Sequence, residues 1–248
     1  MKSAQVLALG KFKPEDLLVT VSKSNRKINP AIEEQVDAIW EATRKKAAEE
    51  GRVCYNGTSY RLNSLRVEGN QIRIDFGLLE YKARQALPTI PGYFDLPDEY
   101  YRKGCYSGAT VKSSDGRYLI VELSGKSMNM NRIDVLGGII EKPTEIVNGG
   151  DVFKALYDEL EEEGCIRLAD IEESYLRAIY MEAKTNIGFY FEILLGISSK
   201  EVLERFDREM DDQDIKSLQS LTYEEYMHVL HTETNSAGKQ LMAEIIAI

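Results

Sequence analysis

The chain is short of cysteine, histidine and basic charge, and each shortage removes a class of explanation. Its 248 residues include 3 cysteines and 2 histidines. Cys54, Cys105 and Cys165 are odd in number, far apart and form no CxxC pair. That usage fits reduced packing thiols better than a zinc site or a disulfide frame. His228 and His231 stand three apart near the C-terminus with no third ligand close by, which reads as the surface of a helix. Lys and Arg number 31 against 41 Asp and Glu, a net charge of −10. A protein that neutralises nucleic-acid phosphates needs a basic surface, and so does a polybasic membrane anchor; neither nucleic acid nor membrane is an expected partner. No window approaches 18 consecutive apolar residues, so no transmembrane helix is expected. The N-terminal MKSAQVLALGKFKPEDLL has an apolar run of only about six residues, too short for a secretory h-region. The expected location is the cytoplasm. No internal repeat and no low-complexity segment occurs.

What is present is a globular composition, 43% hydrophobic and 29% charged. At roughly 150 residues per domain the length allows one large domain and at most two, and about 73% of the unfolded surface can be buried without staples. Residues 30–50 predict an amphipathic helix: Pro30 suits its first turn, Ile32, Val36, Ile39, Trp40, Thr43 and Ala47 share a face, and Gly51 fits its end. Residues 59–67 and 71–78 alternate as strands around Gly69-Asn70, a hairpin signal. The stretch 88–105, with Pro88, Pro91 and Pro97, reads as an ordered irregular linker. It separates an N-terminal helix-and-hairpin region, 1–100, from a second domain, 101–248. Beyond it the pattern predicts two strands around a Ser113–Gly116 turn, a long loop, and a helix over 151–163 closed by Gly164. Strands over 174–182 and 189–197 follow, the second nearly all apolar and so central. Further helices are expected near 199–208, 223–230 and 236–247. Strands and helices interleave without a regular βαβ rhythm, so the expected class is α+β, a mixed sheet flanked by helices.

The segment 137–166, GGIIEKPTEIVNGGDVFKALYDELEEEGCI, carries the chemistry. It holds eight acids against Lys142 and Lys154, a local net of −6 and more than half of the chain's excess. At about 100° per residue from Val152, Leu156 and Leu160 mark the buried side near 40° and 80°. Glu159 and Glu163 fall within about 20° of Val152, beside that stripe; Glu162 falls near −80° and Glu161 opposite. A merely solvated acidic face would set its charges against the leucines. Burying unpaired carboxylates is costly, so a cation should sit against them. No Lys or Arg lies within a turn of this helix end, and Mg²⁺ favours such oxygen ligands.

These residues resemble the box of the Nudix hydrolases, G-x5-E-x7-R-E-U-x-E-E-x-G-U with U aliphatic. In that register Glu159, Glu162 and Glu163 fall on the family's metal-binding carboxylates, Leu160 and Ile166 on aliphatic positions, and Gly138 on the opening glycine. Asp158 stands where the family has Arg and Cys165 where it has Gly. Thr144 or Glu145 takes the first Glu, and twelve residues separate Glu145 from Asp158 where the pattern has seven. The AIWE helix, YNGTSYRLNSLRV, IDFGLLEYK, DVLGG with an expanded box and a late NSAGK are similar, in order, to the UDP-glucose and UDP-galactose diphosphatase group. Members of that group also carry an irregular box without the Arg.

The resemblance implies a Nudix-type α/β/α sandwich with an N-terminal helix and hairpin extension. It implies Mg²⁺-dependent hydrolysis of the pyrophosphate of a nucleotide sugar to UMP and a sugar 1-phosphate, with Mn²⁺ as the alternative ion. Glu159, Glu162 and Glu163 would be the metal-binding and catalytic set, with Glu182, at the end of a neighbouring strand, either a further ligand or base or a surface acid. Gly137 and Gly138 would give close backbone approach to the metal site, a turn glycine pair being the alternative, and Lys126 and Arg132 are read as phosphate contacts or as solvated loop charges. Tyr81 and Tyr106 are the rings to set against a base or sugar; packing is the alternative for each. Ser236 and Lys239 open the last helix, where the serine reads as a cap. A homodimer is the self-association to look for. The missing Arg motivates an alternative, a weak or silent Nudix domain that binds a nucleotide; a third is hydrolysis of ADP-ribose or another nucleoside diphosphate derivative.

Overall fold

A computed structural model of the chain describes residues 4–22, 26–51, 54–124, 132–142, 144–211, 214–232 and 237–247. The strands are β1 (Ala4–Phe12), β2 (Leu17–Val21), β3 (Thr58–Glu68), β4 (Gln71–Glu80), β5 (Gly104–Lys112), β6 (Tyr118–Leu123), β7 (Ile133–Asp134), β8 (Ile171–Glu182), β9 (Asn186–Leu195) and β10 (Ile215–Leu221). The helices are α1 (Pro30–Glu49), α2 (Tyr81–Ala86), α3 (Gly149–Gly164), α4 (Ser199–Glu209), α5 (Tyr223–Thr232) and α6 (Ala237–Ile246). The expected α+β class with a mixed sheet is what the structure has. One path runs β1-β8-β9-β5-β3-β4-β2, and β6, paired to β5, carries β10 and β7. The β5–β9 and β2–β4 pairs are parallel and the others antiparallel.

Strand alternation divides the core into two faces. On β9, Ile187, Phe189, Phe191, Ile193 and Leu195 join one cluster with Val152, Leu156 and Leu160 of α3 and Val202 and Phe206 of α4. Tyr190 points the other way, with Tyr180 and Tyr118, into a second cluster closed by Tyr226 and Leu230 of α5 and Met242, Ala243 and Ile245 of α6. Helices thus cover both faces, and β9, flanked by β8 and β5, is central as its sequence predicts. A smaller third cluster joins Val36 of α1 to Leu79, Ala83, Leu87 and Tyr93.

The hairpin closes through Gly69, at φ +62°, and helix α1 starts where Asn29 accepts the Ala31 N–H at 3.1 Å. Five elements were not expected: β1, β2, β7, β10 and α2. β1 and β2 lie in a stretch that reads only as a short apolar run, because edge strands bury one face alone: of β1, Ala8 and Phe12 are buried. β1 pairs with β8, so the region 1–100 and the region 101–248 contribute to one sheet. Strand β8 begins three residues before its expected start, and β9 begins and ends ahead of its expected bounds. Helix α3 starts two residues early, held by a reciprocal cap. Asn148 Oδ1 accepts the Asp151 N–H (3.3 Å), and Asp151 Oδ2 accepts the Asn148 N–H (2.9 Å).

Candidate active site

The Gly137-Gly138 segment is inserted between β5 and β3. Ser107 N–H donates to Gly138 O (2.8 Å), Ala109 N–H to Leu136 O (2.9 Å), Tyr60 N–H to Ile140 O (2.8 Å) and Lys142 N–H to Thr58 O (3.0 Å). This insertion explains why β3 and β5 pair at Arg61 and Gly104 alone. Leu136 and Ile140 face the α3 side, and Gly138 lies between them. A Cβ at Gly138 would overlap the Glu159 carboxylate, and one at Gly137, whose φ is +137°, would stand 2.5 Å from Ser107 O. Glycine is therefore required at Gly137, by backbone and by its positive φ, whereas at Gly138 a methyl group would push the Glu159 carboxylate aside. Gly137 N–H also donates to Glu163 Oε2 at 2.8 Å. Gly137, Gly138, Glu159 and Glu163 are thus brought into one contact set by two segments twenty residues apart.

The wheel places these acids correctly. Glu159 and Glu163 are half-buried, while Glu161 and Glu162 are exposed. Burial pushes the Glu159 carboxyl up to about 7, helped by the negative charges of Glu162, Glu141 and Asp158. Glu141 is likewise raised, first by burial and then by Glu162, while Arg84 pulls it down. Such a group of repelling, partly desolvated carboxylates fits a divalent cation in ligand type and charge. Among the described residues, however, no three His, Cys, Asp or Glu side chains are gathered as a ready set of metal ligands. Asp158, in the position of the family Arg, is bound by Lys154 one turn back at 2.5 Å.

Other expected residues lie apart. Glu182 ends β8 on the face covered by α6. Its Oε2 is 3.3 Å from Tyr106 Oη, and its Oε1 accepts the Gly238 N–H at 3.3 Å. Tyr106 Oη is 2.9 Å from Tyr180 Oη, and their rings meet edge-on. Tyr81 meets Trp40 edge-on. Arg132 Nε is 3.5 Å from Asp134. Lys239 is 4% exposed, with Nζ 2.9 Å from Asp134 and 2.8 Å from Ile133 O. Lys126 and Ser236 lie outside the described residues. Cys105 is buried, and its thiol is pushed up to about 12, as a packing residue requires. No described helix is long and apolar enough to cross a membrane.

Two residues near the acids have no counterpart in the sequence reading. Glu141 bridges to Ser59 and completes the acidic group. Arg84 reaches from α2 to donate Nη1–H to Cys105 O at 3.1 Å. Neither has a periodic signal, because each acquires its neighbours from a different strand. A 480 Å³ groove, lined by Leu17, Thr20, Arg66, Arg73 and Asn148 among others, lies at the opposite end of α3. It is about 16 Å along the helix from Glu159 and is no part of this site.

No protein-family model matches the chain, and no curated protein matches it. Among solved structures it is similar to a protein of Deinococcus radiodurans, at 15% identity and a TM-score of 0.43, over 58% of this chain and 83% of that one. It is also similar to a NUDIX hydrolase from Nitrosomonas europaea, at 16% identity and a TM-score of 0.38, over 58% and 88%. A third similar structure is the NUDIX domain of Shewanella oneidensis NrtR complexed with ADP ribose, at 8% identity and 0.40, over 61% and 91%.

Proposed function

We propose that this chain is a Nudix-type pyrophosphohydrolase that splits the diphosphate of a nucleotide sugar such as UDP-glucose, releasing UMP and a sugar 1-phosphate. The observation that carries the reading is the fit of Gly137 and Gly138 against Glu159 and Glu163. It joins the two halves of the box that the sequence resembles, despite the stretched spacing between them. Mg²⁺, or Mn²⁺ in its place, would be held by Glu159, Glu162 and Glu163, and would supply charge inversion and polarisation of the phosphoryl oxygens.

The chain's own residues have separate tasks. Gly137 holds the Glu163 carboxylate through its N–H, and Gly138 leaves the space that Glu159 fills. Burial and the neighbouring acids raise the Glu159 carboxyl to about 7, a repulsion that a bound cation would relieve. Glu182, held by Tyr106 and Gly238 on the α6 face, lies apart from these acids and has no step at them. Arg132 is a candidate phosphate contact that must first leave Asp134. The division at residue 100, a cytoplasmic location and a homodimeric state belong to the same proposal.

A screen of UDP-glucose, UDP-galactose, ADP-ribose and a dinucleotide with Mg²⁺ or Mn²⁺, read as phosphate released by a coupled phosphatase, tests it. UDP-sugar turnover is expected, falling to background in Glu159→Gln and Glu163→Gln; unchanged rates in both variants would overturn the site. Turnover of ADP-ribose or the dinucleotide instead would retain the reaction and change the substrate. A second reading, a nucleotide-binding domain without turnover, draws on Asp158 in the Arg position and on the ungathered ligands. Binding of nucleotide without metal, and no turnover of any compound, would favour it.

A further inference from the structure

Two buried arginines, Arg61 and Arg84, and the half-buried Arg102 surround the start of β5, and among the described residues none of them forms an ion pair with a carboxylate. Arg61 is 4% exposed and Arg84 7%, and the Nε of Arg102 is buried with no hydrogen-bond partner. Their partners are neutral. Arg61 donates to the carbonyls of Arg102 (3.2 Å) and Tyr101 (3.1 Å) and to Asn63. Arg102 donates to the Arg84 carbonyl and to Asn186 Oδ1 (2.5 Å), and among the described residues Arg84 donates to Cys105 O alone. A guanidinium carries five N–H donors, and Arg84 uses one. Buried charge offset only by the unbonded Glu141 is costly, and a fixed fork is suited to an oxyanion. Burial lowers the pKa of Arg84, and burial together with the Arg84 charge lowers Arg102 to about 10.

The backbone is shaped to admit Arg84. A Cβ at Gly104 would stand 2.5 Å from its Nη1 and 3.2 Å from its Cζ. The same Cys105 carbonyl that accepts Nη1–H accepts the Ile140 N–H (3.3 Å), which sets the guanidinium one residue from Glu141. The charge of Arg84 acts on Glu141, Tyr81 and Tyr106; Glu141 and Glu162 act on Glu159. The guanidinium and the carboxylates are therefore neighbours, linked through Cys105 and the inserted segment.

We propose that Arg84, backed by Arg102, is an oxyanion site that binds a phosphoryl group of a diphosphate beside the Glu141–Glu159–Glu162 cluster. The substrate class rests on the hydrolase reading, while the site itself stands on the unpaired guanidiniums. A diphosphate presents two anionic groups, and the fork takes one of them while the acidic side requires a cation for the other. Arg102 is a positioning residue, tying the end of α2 to Asn186 and adding positive potential behind Arg84.

Calorimetric titration of the full chain with inorganic pyrophosphate in EDTA tests the site without metal. Wild type should bind. Arg84→Gln should weaken binding at least about tenfold, the equivalent of one charged hydrogen bond, and Arg84→Lys should fall between them. In a turnover assay KM should rise more than kcat falls. Absence of pyrophosphate binding by wild type overturns the proposal, as does unchanged affinity in an Arg84→Gln variant that melts within a few degrees of wild type. If that variant does not fold, Arg84→Lys decides, and unchanged affinity there overturns the proposal. Arg84-dependent pyrophosphate binding without hydrolysis would defeat the hydrolase reading alone. Hydrolysis with an unchanged KM in Arg84→Gln would defeat this inference alone.

Discussion

Glu159 offers a test in which stability, not turnover, reports the site. Its carboxyl sits at about 7 against an ordinary 4.5, because burial and the charges of Glu162, Glu141 and Asp158 oppose ionisation. As pH rises through about 4.5 the unfolded chain releases this proton while the native chain retains it. Stability therefore falls between about pH 4.5 and 7 and is level above that range. At about 1.4 kcal/mol per pH unit the ceiling is roughly 3 kcal/mol, and the residual solvent contact of a half-buried side chain brings it to about 2 kcal/mol. Glu159→Gln removes the charge at nearly constant volume. In EDTA at pH 8 the variant should melt about 4–8 °C above wild type, from the usual 2–4 °C per kcal/mol for a domain of this size. At pH 5, where the native wild-type carboxyl is protonated, the difference should shrink to about a quarter of its value at pH 8. Thermal unfolding followed by circular dichroism at both pH values measures it. Added Mg²⁺ should then raise wild type and leave the variant unmoved, since ligand stabilisation requires a site in the native state. A variant no more stable than wild type at pH 8, or equally shifted at pH 5, would refute the electrostatic account of this side chain.

Further outcomes follow from local geometry. Gly138→Ala should displace Glu159 or open the 136–142 segment, so Mg²⁺ stabilisation and hydrolysis should both be lost; retention of both would show that the close fit is dispensable. Cys165 holds a left-handed backbone, φ 53° and ψ 30°, at the end of α3 where the family pattern has glycine. Cys165→Gly should therefore raise stability by about 0.5 kcal/mol in denaturant titration, and a loss would mean that its side-chain packing outweighs the backbone strain. Asp115 is held down to about 2, foremost by the Ser113 hydroxyl and then the Ser199 N–H, at 2.6 and 2.8 Å. Asp115 is exposed, so solvent screening cuts what the shift contributes, and Asp115→Asn should cost about 1 kcal/mol at pH 7. The cost should fade as pH falls from about 4 to 2, because a depressed carboxyl stabilises only while ionised; pH-independent denaturation midpoints would contradict this.

Much of the site was legible from one helix. Val152, Leu156 and Leu160 define a buried stripe, and the 3.6-residue period alone sets Glu159 and Glu163 beside it and Glu161 away from it. The hairpin at Gly69-Asn70 and the central position of β9 were legible for the same reason, since each depends on residues adjacent along the chain. β1 and β2 were not, because an edge strand of mixed burial has no period until β8 and β4 supply partners. Glu182 was legible as the end of a strand, but which face it joins was decided by the alternation that aligns it with Tyr180 and α6.

By itself, then, the sequence determined the sign and place of the charge: a net −10 concentrated in residues 137–166 and turned partly inward. It also set the α+β class, through the periods of its segments. The tertiary structure alone decided that Gly138 faces Glu159, that Glu141 joins the acids, and that Arg84 lies beside them. Those contacts join α3, the inserted 136–142 segment and α2, which are far apart in the chain. A helical or strand period carries information over a few residues. The positions of unlike charges from separate elements are fixed only when the sheet brings β3, β5 and the inserted segment together.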